Sequence, residues 1–351
     1  MYAESKKGRF YMMRCATKND IPVLKKIWKD IFADSDSFID WFFEYRFNPQ
    51  LSFCTEMNGK IVCVLHCYPI DLKIGDKNIT AVMVSGVATL PEYRKQKLMH
   101  NIFHYALDQL DRHDYPLCFY FPANPAFYTG LGHVRLTDFI TLNNAQFSAK
   151  KEETTFVDIS QNIQNLEKCY NNFSEKYSCI VLRKNNFASK MKEYIAENLI
   201  CEASVKNEEI TAYAIYNKKT SALEIAEAVG DSYDIINILS GYTFSGKLPP
   251  DLCIDTLNIS ADFSEGAMGG IVNVAKLLSA LNLNCPLILK VTDDFFPNNN
   301  GTYDFSGQTS EKTPDLTISS GELLQTLTGY KVHPSLSDYF KEYPCYTTDL
   351  Y

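Results

Sequence analysis

The sequence predicts an α/β protein of the α+β kind, with mixed central sheets in two successive modules and a smaller α+β region at the C-terminal end. Three observations carry this. Residues 12–142 alternate strand-like and helix-like periodicity in the order β-α-α-β-β-β-α-β-α-β. The strand, turn and helix of residues 84–111 returns in weaker form at 222–239. After about Asn258 the pattern changes to a helix, three short strands and a last helix. The expected divisions are 1–149, 150–258 and 259–351, with the polar run 148–155 marking the first boundary.

Each element of the first module has a local cause. Residues 12–16 read as a strand, and Asn19, Asp20 and Pro22 then start a helix that runs to about Phe32. A second, aromatic helix over 38–46 carries Trp41, Phe42 and Phe43. Strands 51–56 and 60–72 flank Asn58-Gly59, a two-residue hairpin signal. Gly75-Asp76 turns the chain into a strand over 79–88. In the next helix Leu98, Ile102, Ala106 and Leu110 recur every fourth residue and form one apolar stripe. A strand at 117–121, a turn with a short helix carrying Tyr128 at 122–132, and a closing strand at 134–142 complete the module.

The second module reads as a helix at 186–199, strands at 200–206 and 210–217, and a strand at 222–229 that leads through Gly230, Asp231 and Ser232 into a helix at 234–239. Its turn carries Asp231 and Asp234 where the first module has cations, so it is expected to repel a phosphorylated ligand. The last region has a helix at 273–281 and strands at 287–292, 301–305 and 315–318. Its final helix opens on a capping box, with Ser319 at the N-cap and Glu322 three residues on. Tyr343, Tyr346 and Tyr351 make the tail aromatic, which predicts a docked terminus where a loose one is usual.

With 46% hydrophobic and 13% aromatic residues in 351, the chain has ample core material, which excludes a disordered protein. A net charge of -8 argues against nucleic-acid binding. No apolar run approaches the roughly 18 residues of a membrane span, and the basic N-terminus (Lys6, Lys7, Arg9) has no apolar segment behind it to make an export signal. Eleven cysteines without a CxxC pair read as reduced thiols of a cytoplasmic protein, and no metal site is expected. The sequence leaves a homo-oligomer open.

Two segments carry chemistry. Arg94, Lys95 and Lys97 crowd the turn before the helix at 98, where cations are unfavourable unless an anion joins them. Free backbone N–H groups at a helix start hold such an anion, so a phosphorylated ligand is expected. The segment 122–133, PANPAFYTGLGH, places Tyr128 between small residues as either a packed aromatic or a phenol acid for a leaving thiolate.

The VATLPEYR turn, the FYTGLGH segment and the order of elements resemble the Gcn5-related N-acetyltransferase superfamily. The whole-chain plan resembles, more narrowly, the Eis-like ("enhanced intracellular survival") acetyltransferases. That resemblance implies tandem acetyltransferase (GNAT) folds, the second degenerate, followed by a C-terminal domain like sterol carrier proteins. It also implies acetyl-CoA as acyl donor and a small-molecule primary amine as acceptor, by direct transfer in a ternary complex. Tyr128 falls on the family's general acid, and the α-carboxylate of Tyr351 on the terminal carboxylate that reaches the active site. Val87 falls on the strand position whose N–H faces the acetyl carbonyl. Ala88, Thr89, Arg94, Lys95, Gln96, Lys97, Leu98, Met99 and Asn124 fall on the cofactor-binding positions. Ser85, Phe32, Asp34, Asp36 and Trp41 fall in the acceptor pocket, expected to be acidic and aromatic and to suit an aminoglycoside, a polyamine or a lysine side chain. One departure stands out: Lys97 replaces the first glycine of the family's R-x-x-G-x-G pattern, where it is expected to keep a helical φ and add a charge. Two alternatives stay open, a CoA- or lipid-binding protein without turnover and an enzyme using a longer acyl-CoA.

Overall fold

The computed structural model describes residues 2–4, 10–149, 151–219, 221–253, 262–347 and 349. The described residues form two compact units, one within 1–135 and 267–342, the other within 136–266 and 343–349.

The first unit opens with strands β1 (Tyr2–Glu4) and β2 (Phe10–Cys15) and helices α1 (Ile21–Phe32) and α2 (Asp36–Tyr45). Strands β3 (Ser52–Met57), β4 (Lys60–Ile74) and β5 (Lys77–Thr89) follow, then α3 (Leu98–Arg112), β6 (Leu117–Tyr120) and β7 (Val134–Arg135). Asn58 and Gly59 take φ of 52° and 76°, the pair of left-handed residues that closes the tight β3–β4 hairpin. From β1 to β5 neighbours are antiparallel, whereas β5 and β6 run parallel. Alternation sorts the side chains. Leu65, Cys67, Val82 and Val84 face α3 and pack with Leu98, Ile102, Phe103 and Leu107. His66 and Tyr68 face α1 and α2 and meet Trp28 and Phe42.

The closing strand expected at 134–142 is two strands. β7 ends at Arg135, and β8 (Asp138–Gln146) belongs to the sheet of the second unit, because buried Leu136 and Thr137 interrupt the extended run. The second unit continues with β9 (Thr155–Val157), α4 (Ile163–Ser174), β10 (Cys179–Leu182), α5 (Phe187–Ala196), β11 (Ile200–Lys206) and β12 (Glu209–Lys218). It ends with β13 (Leu223–Gly230), α6 (Ser232–Leu239), β14 (Thr243–Leu248) and β15 (Asp262–Glu265). Its sheet has the order β15-β8-β14-β13-β12-β11-β9. The tail segment docks here: Tyr346 is fully buried against Phe139, Phe173 and Tyr177, and its N–H donates to the Cys179 carbonyl. Asp349 accepts from Arg183, which also forks onto Glu227.

Back in the first unit, β16 (Met268–Ile271) lies between β6 and β7 in the first sheet, antiparallel to both. The sequence pattern did not foretell this insertion, since MGGI is too short and glycine-rich to read as a strand. The chain then forms α7 (Val274–Leu281), β17 (Ile288–Thr292), β18 (Gly301–Asp304), β19 (Leu316–Ser319) and α8 (Ser320–Thr328). The capping box of α8 is made as expected: Ser319 Oγ accepts the Glu322 N–H at 3.2 Å, and the Glu322 carboxylate accepts the Ser319 N–H at 3.1 Å. Asn273 and Lys276 tie the start of α7 to Asp111 at the end of α3, both at 2.9 Å.

Candidate active site

The site is organised by an irregularity in β5. Val64 on β4 pairs with Ala88 and His66 with Ser85, so two residues of β4 span three steps of β5, and Gly86 and Val87 have no β4 partner. On the other edge β6 pairs only with Val82 and Met83, although β5 runs on to Thr89. This is a β-bulge beside a parting of two parallel strands. Gly86 takes φ 58°, and a Cβ there would stand 2.4 Å from the Trp28 ring, so glycine is required for both reasons. The extra residue breaks alternation: Val84 and Val87, three apart, both pack on the α3 side. The signal for this bulge in the sequence is the lone glycine inside a strand pattern.

The cofactor-binding candidates follow directly along the chain. Ala88 is buried, and the Thr89 hydroxyl donates to Cys63 Sγ at 3.1 Å. After the turn Pro91–Tyr93, Arg94 Nε donates to the Thr89 carbonyl at 3.1 Å, which folds the exposed guanidinium back beside the strand end. Lys95 and Lys97 are exposed and Gln96 half-buried, whereas Leu98 and Met99 pack into the core. Lys97 is the N-cap of α3, with no side-chain cap and no acidic residue in the first turn. Its φ of 61° is left-handed, which corrects the expected helical φ: the backbone takes the glycine-type conformation with a lysine in place. Lys95 does the same at φ 60°. The α3 amides are thus uncapped by the chain's side chains and surrounded by three cations, an arrangement that fits a diphosphate. Asn124 is occupied locally, its side-chain oxygen accepting the Ala126 N–H at 3.0 Å.

Tyr128 stands at the junction of two 3-10 turns, Pro125–Phe127 and Thr129–Leu131, where a single short helix was expected. Its ring is buried against Tyr120 at 4.7 Å and Phe103 at 5.8 Å. Burial pushes its phenol up to about 12, so it stays protonated across the neutral range. Behind it the Tyr120 hydroxyl and His133 Nδ1 are 2.8 Å apart, and burial lowers His133 to about 4. His133 is therefore neutral near pH 7.

The acceptor-side candidates share the opposite sheet face in part. Ser85 Oγ is buried without a partner. Its cross-strand neighbour His66 is fully enclosed by Trp28, Phe42, Phe43 and Phe47, bonds Ser52 Oγ through Nδ1 at 3.0 Å, and has an unpartnered Nε2. Burial depresses it to about 3. Phe32 lies 5.6 Å from Trp28, and Trp41 is buried on α2. The two aspartates are engaged elsewhere: Asp34 accepts the Trp28 indole N–H at 2.8 Å, and Asp36 pairs with Lys29 at 2.9 Å at the exposed start of α2. His66, Trp28 and Arg46 of this face belong to no motif and were not singled out from the sequence. Tyr351 lies outside the described residues. Among the described residues there is no group of side chains that could hold a metal ion, and no helix long and apolar enough to cross a membrane.

Residues 12–136 match the acetyltransferase (GNAT) domain family, and residues 274–339 the sterol carrier protein domain family. The chain therefore carries a GNAT acetyltransferase domain and a sterol-carrier-type domain. No curated protein sequence matches it. Among solved structures it is similar to the GCN5-related N-acetyltransferase of Anabaena variabilis ATCC 29413, with 16% identity, a TM-score of 0.76, and 97% of this chain and 100% of that one covered. A conserved protein of Enterococcus faecalis V583 called a probable N-acyltransferase gives 16% identity and a TM-score of 0.73, covering 94% and 92%. Eis1 of Mycobacterium abscessus gives 11% and 0.73, covering 97% and 100%. These likenesses establish a shared fold along nearly the whole chain.

Proposed function

We propose that this acetyltransferase passes the acetyl group of acetyl-CoA directly to a primary amine in a ternary complex, without a covalent enzyme intermediate. The observation that carries the reading is the Gly86 bulge. It leaves Gly86 and Val87 unpartnered on β4 where β5 parts from β6, one turn before an uncapped, basic helix start.

Acetyl-CoA supplies an acetyl group activated as a thioester. Arg94, Lys95, Lys97 and the first amides of α3 hold its diphosphate, with Val87, Ala88 and Thr89 as the adjoining strand edge. The Val87 N–H donates to the acetyl carbonyl oxygen and stabilises the charge that develops there. The acceptor ammonium gives one proton to solvent, and its nitrogen forms the C–N bond as the C–S bond breaks. Tyr128 gives its proton to the sulfur, and the second proton shed by the nitrogen returns through solvent to the Tyr128 phenolate. The Tyr128 hydroxyl has the proton to give, because burial keeps it on the phenol at neutral pH. The α-carboxylate of Tyr351 orients the acceptor ammonium, an assignment that follows the family resemblance.

Two measurements test this. Acetyl-CoA at 100 times its Kd should stabilise the protein by about 2.7 kcal/mol in a thermal-shift experiment. Tyr128→Phe should lower kcat in a thiol-release assay by about 100-fold or more, with the KM for acetyl-CoA little changed. No shift at millimolar acetyl-CoA removes the enzyme reading, and wild-type turnover in Tyr128→Phe removes the acid.

A further inference from the structure

On the α1/α2 face of the sheet sits a buried cation that the reaction above leaves unused. Arg46 caps the C-terminus of α2 and is only 8% exposed. Its guanidinium carbon lies 5.3 Å from the Trp41 ring and 5.1 Å from the Tyr68 ring. Its Nε is sealed from solvent without a hydrogen-bond partner, and no carboxylate of the described residues pairs with it. Of the acids of α1 and α2, Asp34 is held by Trp28, Asp36 by Lys29 and Asp40 by Lys25, and Glu44 is exposed.

A buried guanidinium without an anion is expensive, and two ring faces offset only part of that cost. Two aromatic rings lie beside the guanidinium carbon, and a guanidinium fork grips a planar carboxylate through two parallel hydrogen bonds. One unit of charge matches a monoanion. A phosphate dianion would bring one charge more than Arg46 supplies.

The place on the sheet relates this cation to the chemistry. Tyr68 pairs with Met83, and His66 with Ser85, the residue before the Gly86–Val87 bulge. Arg46 therefore stands over a row about 7 Å along the strand from the row that adjoins the bulge. Phe42 bridges the two rows, with ring centroids 6.1 Å from Tyr68 and 5.8 Å from His66. His66 Nε2 and Ser85 Oγ, on the row that adjoins the bulge, are buried and unpartnered.

We propose that Arg46 is the anion-recognition residue of the acceptor subsite, and that the preferred acceptors are primary amines carrying a carboxylate several bonds from the nitrogen. This rests on the amine-acetylation reading above and narrows its acceptor away from polycations, which Arg46 repels.

The protein's two tryptophans, Trp28 and Trp41, both lie on this face, so intrinsic fluorescence reports on it directly. The full-length chain is titrated with linear ω-amino carboxylates of increasing length and with their carboxamides, with CoA present. The carboxylate of best length should bind at least about tenfold more tightly than its amide. That preference should vanish in Arg46→Met and survive in part in Arg46→Lys. Equal affinities within every pair overturn the proposal even if a variant fails to fold, and so does a preference that persists in Arg46→Met. A carboxylate preference seen only after deletion of Leu350 and Tyr351 would assign Arg46 to the chain's own terminus and also overturn it. The thermal shift with acetyl-CoA separates failure here from failure of the enzyme reading: a protein that binds acetyl-CoA but treats the pairs alike loses only this inference.

Discussion

The chain builds strand, turn and helix twice, and the two copies treat the helix start in opposite ways. β5 leads into α3, whose N-cap is a left-handed lysine without a side-chain cap and whose first turn has no acid. β13 leads into α6, whose N-cap Asp231 accepts the Tyr233 and Asp234 amides, and whose buried Asp234 is held by Lys206 at 2.6 Å and Thr211 at 2.7 Å. In α6 the amide donors and the positive end of the dipole are satisfied within the fold. In α3 the same groups are turned outward among Arg94, Lys95 and Lys97. In α6 the chain itself supplies the anion at the helix start; in α3, on the proposed reading, a ligand does.

The largest effect is expected when α3 is given the N-cap residue of α6. Lys97→Asp removes one cation and sets a carboxylate where the diphosphate belongs. Loss of a charge-assisted contact costs about 1.5–3 kcal/mol, and repulsion adds to it, so the KM for acetyl-CoA should rise about 100-fold. The fold should persist, since aspartate tolerates a left-handed φ. An unchanged KM would show that α3 is not the anion site.

This contrast was legible in the sequence because it is written in charge: cations at 94–97 against aspartates at 231 and 234. Most elements were legible too, since the hairpin at Asn58-Gly59, the stripe of α3 and the capping box of α8 are local signals. One local element escaped, the amphipathic helix α4 over Ile163–Ser174; the rest was non-local. The strand β16 joins the first sheet from about 130 residues further along the chain, where no periodicity points to its partners. The Gly86 bulge looks like one weak strand residue until register is known, and His66 and Arg46 gain meaning only from the rings around them. The φ of 61° at Lys97 departs from the helical value expected of a lysine, because turn conformation is set by the tertiary structure on either side as well as by the residue's own preference.

The converse substitution tests the other copy, with a smaller effect. Asp231→Ala removes the α6 cap and should destabilise by about 1 kcal/mol, read as a lower urea midpoint. The affinity for acetyl-CoA should not change. If it improved, the second helix start would have been a suppressed cofactor site, and the two copies would differ only by that carboxylate.

The smallest expected effect separates two roles of Lys97 itself. A non-glycine residue in the left-handed region costs about 1–2 kcal/mol, which Lys97→Gly would remove. Glycine also gives the unfolded chain about 0.5–1 kcal/mol of additional entropy to lose, so net stability should change by less than about 1 kcal/mol. What remains is the charge. Lys97 is exposed at the helix start, and its attraction for a diphosphate is screened over about 10 Å at 0.1 M salt. The KM for acetyl-CoA in Lys97→Gly should therefore exceed the wild-type value by about threefold at low ionic strength and converge with it near 1 M, where screening acts over only about 3 Å. A lower KM for the glycine variant at every salt concentration would mean that the side chain's bulk obstructs the backbone's approach to the phosphates. In that case the lysine would tune affinity downward, and the resemblance of α3 to a glycine-type phosphate loop would be closer in backbone than in function.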